Sequence, residues 1–276
     1  MKAALIQLCS SDDPAANLLR TTALIEQAAK DDAAFILTPE VTNCVSADRA
    51  HQIEVLAHEV DDKTLAALRA LAARLRIWIQ VGSLALKTGD ADGRFANRSF
   101  LIGPDGAIVA RYDKIHMFDV TISAQESYRE SAGYRPGAEA VLAPTELGMI
   151  GMTICYDVRF PQLYRHLAQR GAQILTVPSA FSPVTGAAHW HVLLRARAIE
   201  TGAYILAPAQ SGTHAARAGK PRQTYGHSLA VSPWGEVLAD GGEGEGVIYV
   251  DLDMAEVAQA RQRIPALLHD PEFGGP

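Results

Sequence analysis

The chain has 276 residues, 48% of them hydrophobic and 20% charged, and carries a formal net charge of −6 with acids and bases interspersed. That balance argues against nucleic acid or an anionic membrane as the main partner, and no run approaches the roughly 18 apolar residues of a membrane span. Three cysteines, Cys9, Cys44 and Cys155, are too few and too odd in number for a disulfide framework and favour the cytoplasm.

From the amino end, "KAALIQL" reads as a strand, and its apolar run is too short for a secretory leader. Asp13-Pro14 then opens a helix running to about Lys30, with the aspartate as N-cap and the proline in the first turn. "AFILTPE" is a buried strand stopped by Pro39. Over 62–76, Leu65, Leu68, Ala72 and Leu75 mark one stripe of a helix. "IWIQVGSLAL" is the next strand, and "SFLIGPDGAIVARYDK" is a hairpin turning at Pro104-Asp105-Gly106. "GMIGMTI" is a strand with Cys155 at its end, followed by a helix from about Pro161 to Arg170 that Gly171 closes. The strands "QILTVPSA" and "AYILAPAQ" flank a helix, "HWHVLLRARAIETG". A second hairpin, "HSLAVSPWGEVLAD", turns at Pro233-Trp234-Gly235. "GVIYVDLD" leads into a last helix, where Asp253 and Glu256 have the spacing of a capping box.

Strands joined both by helices and by hairpins imply mixed sheets in a layered α/β fold, read as a single domain over 1–276. No G-x-G-x-x-G follows a strand and no P-loop lysine motif is present, so nucleotide binding has no support.

In such a fold, reactive groups belong at the carboxyl ends of strands. Glu40, Lys114 and Cys155 meet that description. Each has an ordinary reading as well. A lone cysteine in an apolar strand is usually a small hydrophobe. Glu40 alone reads as a loop carboxylate, and Lys114 as a solvated charge at a strand edge. A cysteine at a strand-to-helix junction can also gain thiolate character from the amides ahead of it. "HWH" at 189–191 looks like a metal pair, but residues i and i+2 of a helix point to different faces, so they share no metal. His116 reads as a supporting hydrogen-bonding residue, and Arg195 and Arg197 as structural ion-pair partners.

Taken together, "PE" after an apolar strand, "Y-x-K-x-H-x-F-D" and "G-x-x-I-C-Y-D-x-R-F-P" resemble the nitrilase superfamily of carbon–nitrogen hydrolases. "PSAFSPVTGAAHWHVLLRARAIET", "YGHS" and "PWGEV" extend the resemblance to the amidase branch over nearly the whole chain. The resemblance implies a four-layer α-β-β-α sandwich with two mixed β-sheets, and a homodimer or higher assembly. It also implies a Glu40–Lys114–Cys155 catalytic set that uses neither a metal nor an organic cofactor. Cys155 would attack an amide carbonyl, and Glu40 would act as general base and then acid. Lys114 and the Tyr156 N–H would hold the oxyanion. The family's second glutamate is expected at Glu130, with Glu126 the alternative.

For substrate, Arg159 reads either as a fork for a carboxylate or as an ion-pair partner of Asp157 or a loop acid. Phe118, Phe181 and Trp190 are candidates for an apolar wall, with His189 beside them. Within the superfamily the chain is most similar to amidases of deaminated glutathione, and next to ω-amidases acting on α-keto amides. Where those groups carry glutamate after "HW", this chain has His191. Nitrile or N-carbamoyl amino acid hydrolysis, and an inactive binding or scaffold protein, are the remaining readings. The expected partners are therefore a small amide and water.

Overall fold

The computed structural model describes residues 1–124, 126–217, 221–269, 271 and 274–275. The first half supplies β1 (Lys2–Gln7), β2 (Phe35–Leu37), β3 (Trp78–Lys87), β4 (Phe95–Ile102) and β5 (Ile108–Asp113), with α1 (Pro14–Lys30), α2 (Arg49–Val55) and α3 (Lys63–Leu75) between them. A small hairpin, β6 (Asp119–Ser123) and β7 (Glu126–Arg129), follows, and β8 (Tyr134–Arg135) returns to pair with β4. The second half supplies β9 (Val141–Thr145), β10 (Gly148–Met152), β11 (Ile174–Thr176) and β12 (Tyr204–Ala207). After the short pair β13 (Ser211–Thr213) and β14 (Gln223–Tyr225) come β15 (Leu229–Val231) and β16 (Val237–Asp240). α4 (Pro161–Gln169) and α5 (Pro183–Thr201) cross between strands of this half. β17 (Gly246–Asp251) crosses back to lie antiparallel to β1, and α6 (Met254–Arg263) and a 3₁₀ turn (Ala266–Leu268) follow.

The strands form two large sheets, ordered β17-β1-β2-β3-β4-β5 and β16-β15-β12-β11-β10-β9. Each combines parallel central pairs with antiparallel edges, so both are mixed. Alternation along each strand sets the layers. In the first sheet, Ala3, Leu5, Phe35 and Leu37 pack into one cluster with Ile150, Met152 and Ile174 of the second. Their neighbours Ala4, Ile6, Ile36 and Ile79 face the other way, onto Leu24 and Ile25 of α1 and Leu65 and Leu68 of α3. On the far side of the second sheet, α4 and α5 add Tyr164, Leu167, Trp190 and Leu194. The result is the α-β-β-α sandwich. Gln80 reaches across the two sheets to donate to Thr176 Oγ1 at 2.7 Å.

Local signals explain most element ends. Asp13 Oδ1 accepts from the Ala15 and Ala16 amides, capping α1 as its sequence indicates. Both hairpins turn where expected, with Gly106 donating to Gly103 and Gly235 to Ser232. Three expectations are corrected. Helix α5 starts six residues before the histidine expected to open it, because Ser182 caps it and Pro183 takes its first position. Gly186 obscures that start, and it is glycine because a Cβ there would lie 2.3 Å from Tyr225 Cγ. Asp253 caps α6, but Glu256 is drawn away from the cap by the Tyr204 hydroxyl, which donates to it at 2.6 Å and accepts from the Asp253 amide. Strand β10 stops at Met152, so Cys155 stands beyond the strand, at the start of a 3₁₀ turn.

No helix is long and apolar enough to cross a membrane among the described residues. One buried group makes stability pH-dependent. His214 is fully buried, bonded to Ser10 O at 2.7 Å and to Thr224 Oγ1 at 2.7 Å. Burial pushes its pKa down from 6.5 to about 4. The folded state therefore resists a proton that the unfolded chain takes up, so stability is full above pH 6.5 and falls as pH drops toward 4. The loss reaches about 3 kcal/mol. Urea unfolding at pH 7 and pH 4.5 should show it, and a His214→Gln chain should show a shallower fall.

Candidate active site

The three candidate residues converge from three places in the chain. Glu40 follows β2 on a loop pinned to β3: Ser83 Oγ accepts from the Val41 amide at 2.8 Å and Ser83 O from the Thr42 amide at 2.9 Å. Gln210 donates to Glu40 O from the second half of the chain. At Gly82 the loop and β3 approach so closely that a Cβ would lie 1.9 Å from Thr38 O. Lys114 follows β5, its amide donating to Asn97 O. Cys155 has φ +49°, a left-handed conformation uncommon outside glycine, and its N–H donates to Pro178 O at 2.9 Å. Strain of this kind is typical of functional positions.

The turn bearing Cys155 is tied to β5 and the segment after it that carries Lys114 through Asp157, which is fully buried. Asp157 Oδ2 accepts from the Tyr112 hydroxyl at 2.6 Å and the Ile154 amide at 2.8 Å. Its Oδ1 accepts from the His116 amide at 3.0 Å and lies 2.7 Å from His116 Nδ1. His116 thus braces the turn, stacked at 3.5 Å on Phe160. With both oxygens so engaged, Asp157 makes no ion pair with Arg159.

The Lys114 ammonium lies 2.8 Å from Glu40 Oε1 and 2.8 Å from Glu130 Oε2, and is itself only 2% exposed. Glu130 is therefore the glutamate beside the lysine. Glu126 instead accepts from the Tyr128 hydroxyl at 2.9 Å. Glu40 Oε2 accepts from the Ala180 amide at 2.9 Å, and the Phe118 amide donates to Glu130 Oε2 at 2.6 Å. The buried Cys155 thiol feels the charges of both Glu40 and Lys114.

Two lone carboxylates and an amine would be prohibitive to bury, but a net −1 cluster with most lone pairs satisfied is tolerable. The protonation states follow. Burial pushes Glu40 up, but the Lys114 charge and hydrogen bond outweigh it and hold the carboxyl below its usual range. Burial alone would lower Lys114; Glu130 and Glu40 overcome it and lift the ammonium well above the ordinary lysine value. Burial and the Glu40 charge both push the Cys155 thiol up, with Lys114 offsetting only part. The resting state is an ionised glutamate, an ammonium and a neutral thiol. The thiolate character expected of a strand-end cysteine is absent, because this thiol is buried beside a carboxylate.

Residues expected at the periphery are distributed unevenly. Tyr156, half-buried, opens the 3₁₀ turn after Cys155, where helical N–H groups lack intrahelical acceptors. Phe118 packs edge-on against its ring at 5.1 Å. The Arg159 guanidinium stands 5.8 Å from the Tyr156 ring and 5.3 Å from the Phe181 ring, with Nη1 3.2 Å from the exposed His189 Nδ1. Among the described residues no carboxylate pairs with Arg159. Trp190 does not line the wall: it is fully buried behind Phe181 at 4.9 Å, with Nε1 donating to His227 O. Arg197 makes the expected ion pair, to Glu200 at 2.8 Å, while Arg195 bonds Gly235 O instead.

Two residues escaped the sequence reading. Asn97 Nδ2 donates to Glu40 Oε1 at 2.8 Å and to Glu130 Oε1 at 3.3 Å, holding both glutamates to the strand beside Lys114. Asn97 begins the polar Asn97-Arg98-Ser99 stretch of β4, ahead of the apolar run that reads as strand, so no local signal set it apart. Arg222 anchors to Ala180 O at 2.8 Å, and its charge adds to the stabilisation of ionised Glu40; nothing local marks it.

A buried carboxylate and ammonium in contact, with a buried thiol whose ionisation both perturb, form a candidate site for nucleophilic chemistry. The carbon–nitrogen hydrolase family model matches residues 2–262, and the chain belongs to that family. Over 97% of its length the chain is 39% identical to a deaminated glutathione amidase of Yersinia enterocolitica, covering 92% of that protein. Among solved structures, the NitFhit protein of Caenorhabditis elegans matches with a TM-score of 0.90 and 35% identity, over 98% of this chain and 64% of that one. A Glu-to-Gln variant of a Nesterenkonia amidase matches with a TM-score of 0.77 and 25% identity, over 96% and 98% of the two chains. That variant carries acrylamide added to its active-site cysteine.

Proposed function

We propose that Cys155, Glu40, Lys114 and Glu130 are the catalytic residues of an amidase that cleaves the amide of deaminated glutathione. The observation that carries the mechanism is the ammonium of Lys114 clamped between two carboxylates beside a neutral thiol. Glu40 takes the thiol proton as sulfur bonds to the carbonyl carbon, so the thiolate never has to exist free in the buried site. The oxyanion that develops is held by Lys114 and the Tyr156 N–H. Glu40 then returns the proton to the departing amine, leaving a thioester on Cys155. Water, deprotonated by the same glutamate, attacks the thioester, and the acid leaves as the thiol is restored. Glu130 and Asn97 keep the lysine and the base in register.

The substrate reading rests on the relatives' activity together with Arg159. Its guanidinium stands over two aromatic rings, without a carboxylate partner among the described residues, a few positions from the nucleophile. That placement suits the α-keto acid end of deaminated glutathione. Phe118 and Phe181 form the apolar sides, with His189 at the rim. Truncating Arg159→Ala removes charge-assisted hydrogen bonds of about 1.5–3 kcal/mol. KM for a carboxylate-bearing amide should rise by roughly 10- to 100-fold, while hydrolysis of a neutral aliphatic amide changes little.

We assign residues 1–276 to a single domain, since the two sheets share one core. The test of the function is amine or ammonia release from a panel: deaminated glutathione, α-ketoglutaramate, aliphatic amides, an N-carbamoyl amino acid and a nitrile. Preference for deaminated glutathione supports the reading, and preference for α-ketoglutaramate makes the protein an ω-amidase. No turnover of any of them, with an unreactive Cys155, would leave a scaffold.

A further inference from the structure

We infer that the protein holds a divalent transition-metal ion of the zinc class at His191, His227 and Asp240, a cluster outside the Glu40–Lys114–Cys155 set. The "HWH" stretch is not a metal pair in itself: His189 turns to Arg159, while His191 points to Asp240. It meets there the histidine of "YGHS". His191 Nε2 lies 2.9 Å from Asp240 Oδ2, and His227 Nδ1 lies 2.9 and 3.2 Å from the two Asp240 oxygens. One ligand atom from each residue falls within 4.8 Å of the others. Ligand atoms about 2.0–2.1 Å from a tetrahedral ion stand about 3.3 Å apart, so small ring rotations complete the site.

Three features make this more than a surface contact between two imidazoles and an acid. The ligands come from three elements: α5, the turn before β15, and the end of β16. Their backbones are fixed. His227 is held at φ +55°, its N–H donating to Gly242 O at 2.7 Å and its O accepting from Trp190 Nε1. Gly242 in turn donates to Asp240 Oδ1 at 2.9 Å. The His227 ring is also set in orientation, stacked on Tyr225 at 4.5 Å. Two imidazoles and one carboxylate are a donor set suited to zinc and its neighbours, and three protein ligands leave a further position open to solvent.

Metal entry needs no net proton loss from neutral rings. The proton on His191 Nε2 moves to Nδ1 and that on His227 Nδ1 moves to Nε2, each freeing a lone pair, while the carboxylate exchanges two N–H bonds for the ion. The bound ion clips α5 to the β15–β16 hairpin, and so acts on stability rather than on the reacting bond.

The experiment uses the full, tag-free chain, stripped by a chelator and alkylated with iodoacetamide so that thiols cannot bind. Zinc chloride is titrated by calorimetry, and unfolding temperature is read with and without zinc. One ion per chain is expected, with a rise of about 5 °C at saturating zinc. Asp240→Asn, which keeps the shape of the side chain, and the half-exposed His191→Gln should each weaken binding by roughly 100-fold or more and abolish the rise. Absence of saturable binding to the parent chain, or equal affinity in both variants, overturns the site.

Discussion

Replacing Lys114 with methionine is expected to remove about 3–5 kcal/mol of stability and to cut kcat/KM by roughly 100- to 1,000-fold in whatever protein still folds. The two losses have one origin. Lys114 is 2% exposed and lies 2.8 Å from each of two glutamates, which are themselves 5% and 14% exposed. Without the ammonium, Glu40 and Glu130 face one another as buried like charges, still bridged by Asn97. At least one must then take a proton, and whenever that one is Glu40 the base is lost together with the cation that would hold the oxyanion. The sign with pH follows: the variant should be less unstable at pH 5 than at pH 8, because protonation relieves the repulsion. A second change, Glu130→Gln, should recover part of the stability of Lys114→Met but little of the activity. Urea unfolding of the single and double variants at both pH values checks this. Equal stability of Lys114→Met and the parent chain would show that the cluster is not the buried ion pair described.

Substituting Glu40→Gln separates turnover from thiol reactivity. Loss of the base should lower kcat by roughly 100- to 10,000-fold. The thiol itself should not become inert. The Glu40 charge is among the causes that hold the Cys155 thiol up, while Lys114 pulls it down. Removing the carboxylate leaves the burial and the cation, so the thiol should ionise at lower pH than in the parent chain. The rate of iodoacetamide labelling against pH reads this directly, with its midpoint moving down in Glu40→Gln. A midpoint that moves up would contradict the charge balance assigned to the site.

How much of this was legible in the residues depended on range. Asp13-Pro14 and the two proline–glycine hairpins announce themselves over four or five residues, and they fold as read. Glu40, Lys114 and Cys155 stood out because each is an ionisable group at the end of an apolar run, and the combined motifs carried the family. The preference for Glu130 over Glu126 came from the family resemblance, and Glu130 is the one of the two that contacts Lys114. What the sequence could not express was burial and long-range approach. The state of the Cys155 thiol depends on Glu40 and Lys114, distant in sequence. Asn97 reads as one of three consecutive polar residues, Asn97-Arg98-Ser99, until β4 and β5 pair and bring it to the lysine. Arg222 has no local mark at all. Trp190 looked available as an aromatic wall because an exposed and a buried indole are written alike. His191 and Asp240 are 49 residues apart, so "HWH" could be rejected as a pair while its second histidine found other partners.

The central claim is that hydrolysis passes through a thioester on Cys155. Rapid acid quench of the enzyme during turnover of deaminated glutathione, followed by intact-mass and peptide analysis, tests it most directly. The account predicts an α-ketoglutaryl adduct on the peptide containing Cys155, absent in Cys155→Ser, which should also lose about 10,000-fold or more in kcat. Turnover that proceeds without any adduct and survives in Cys155→Ser would contradict it.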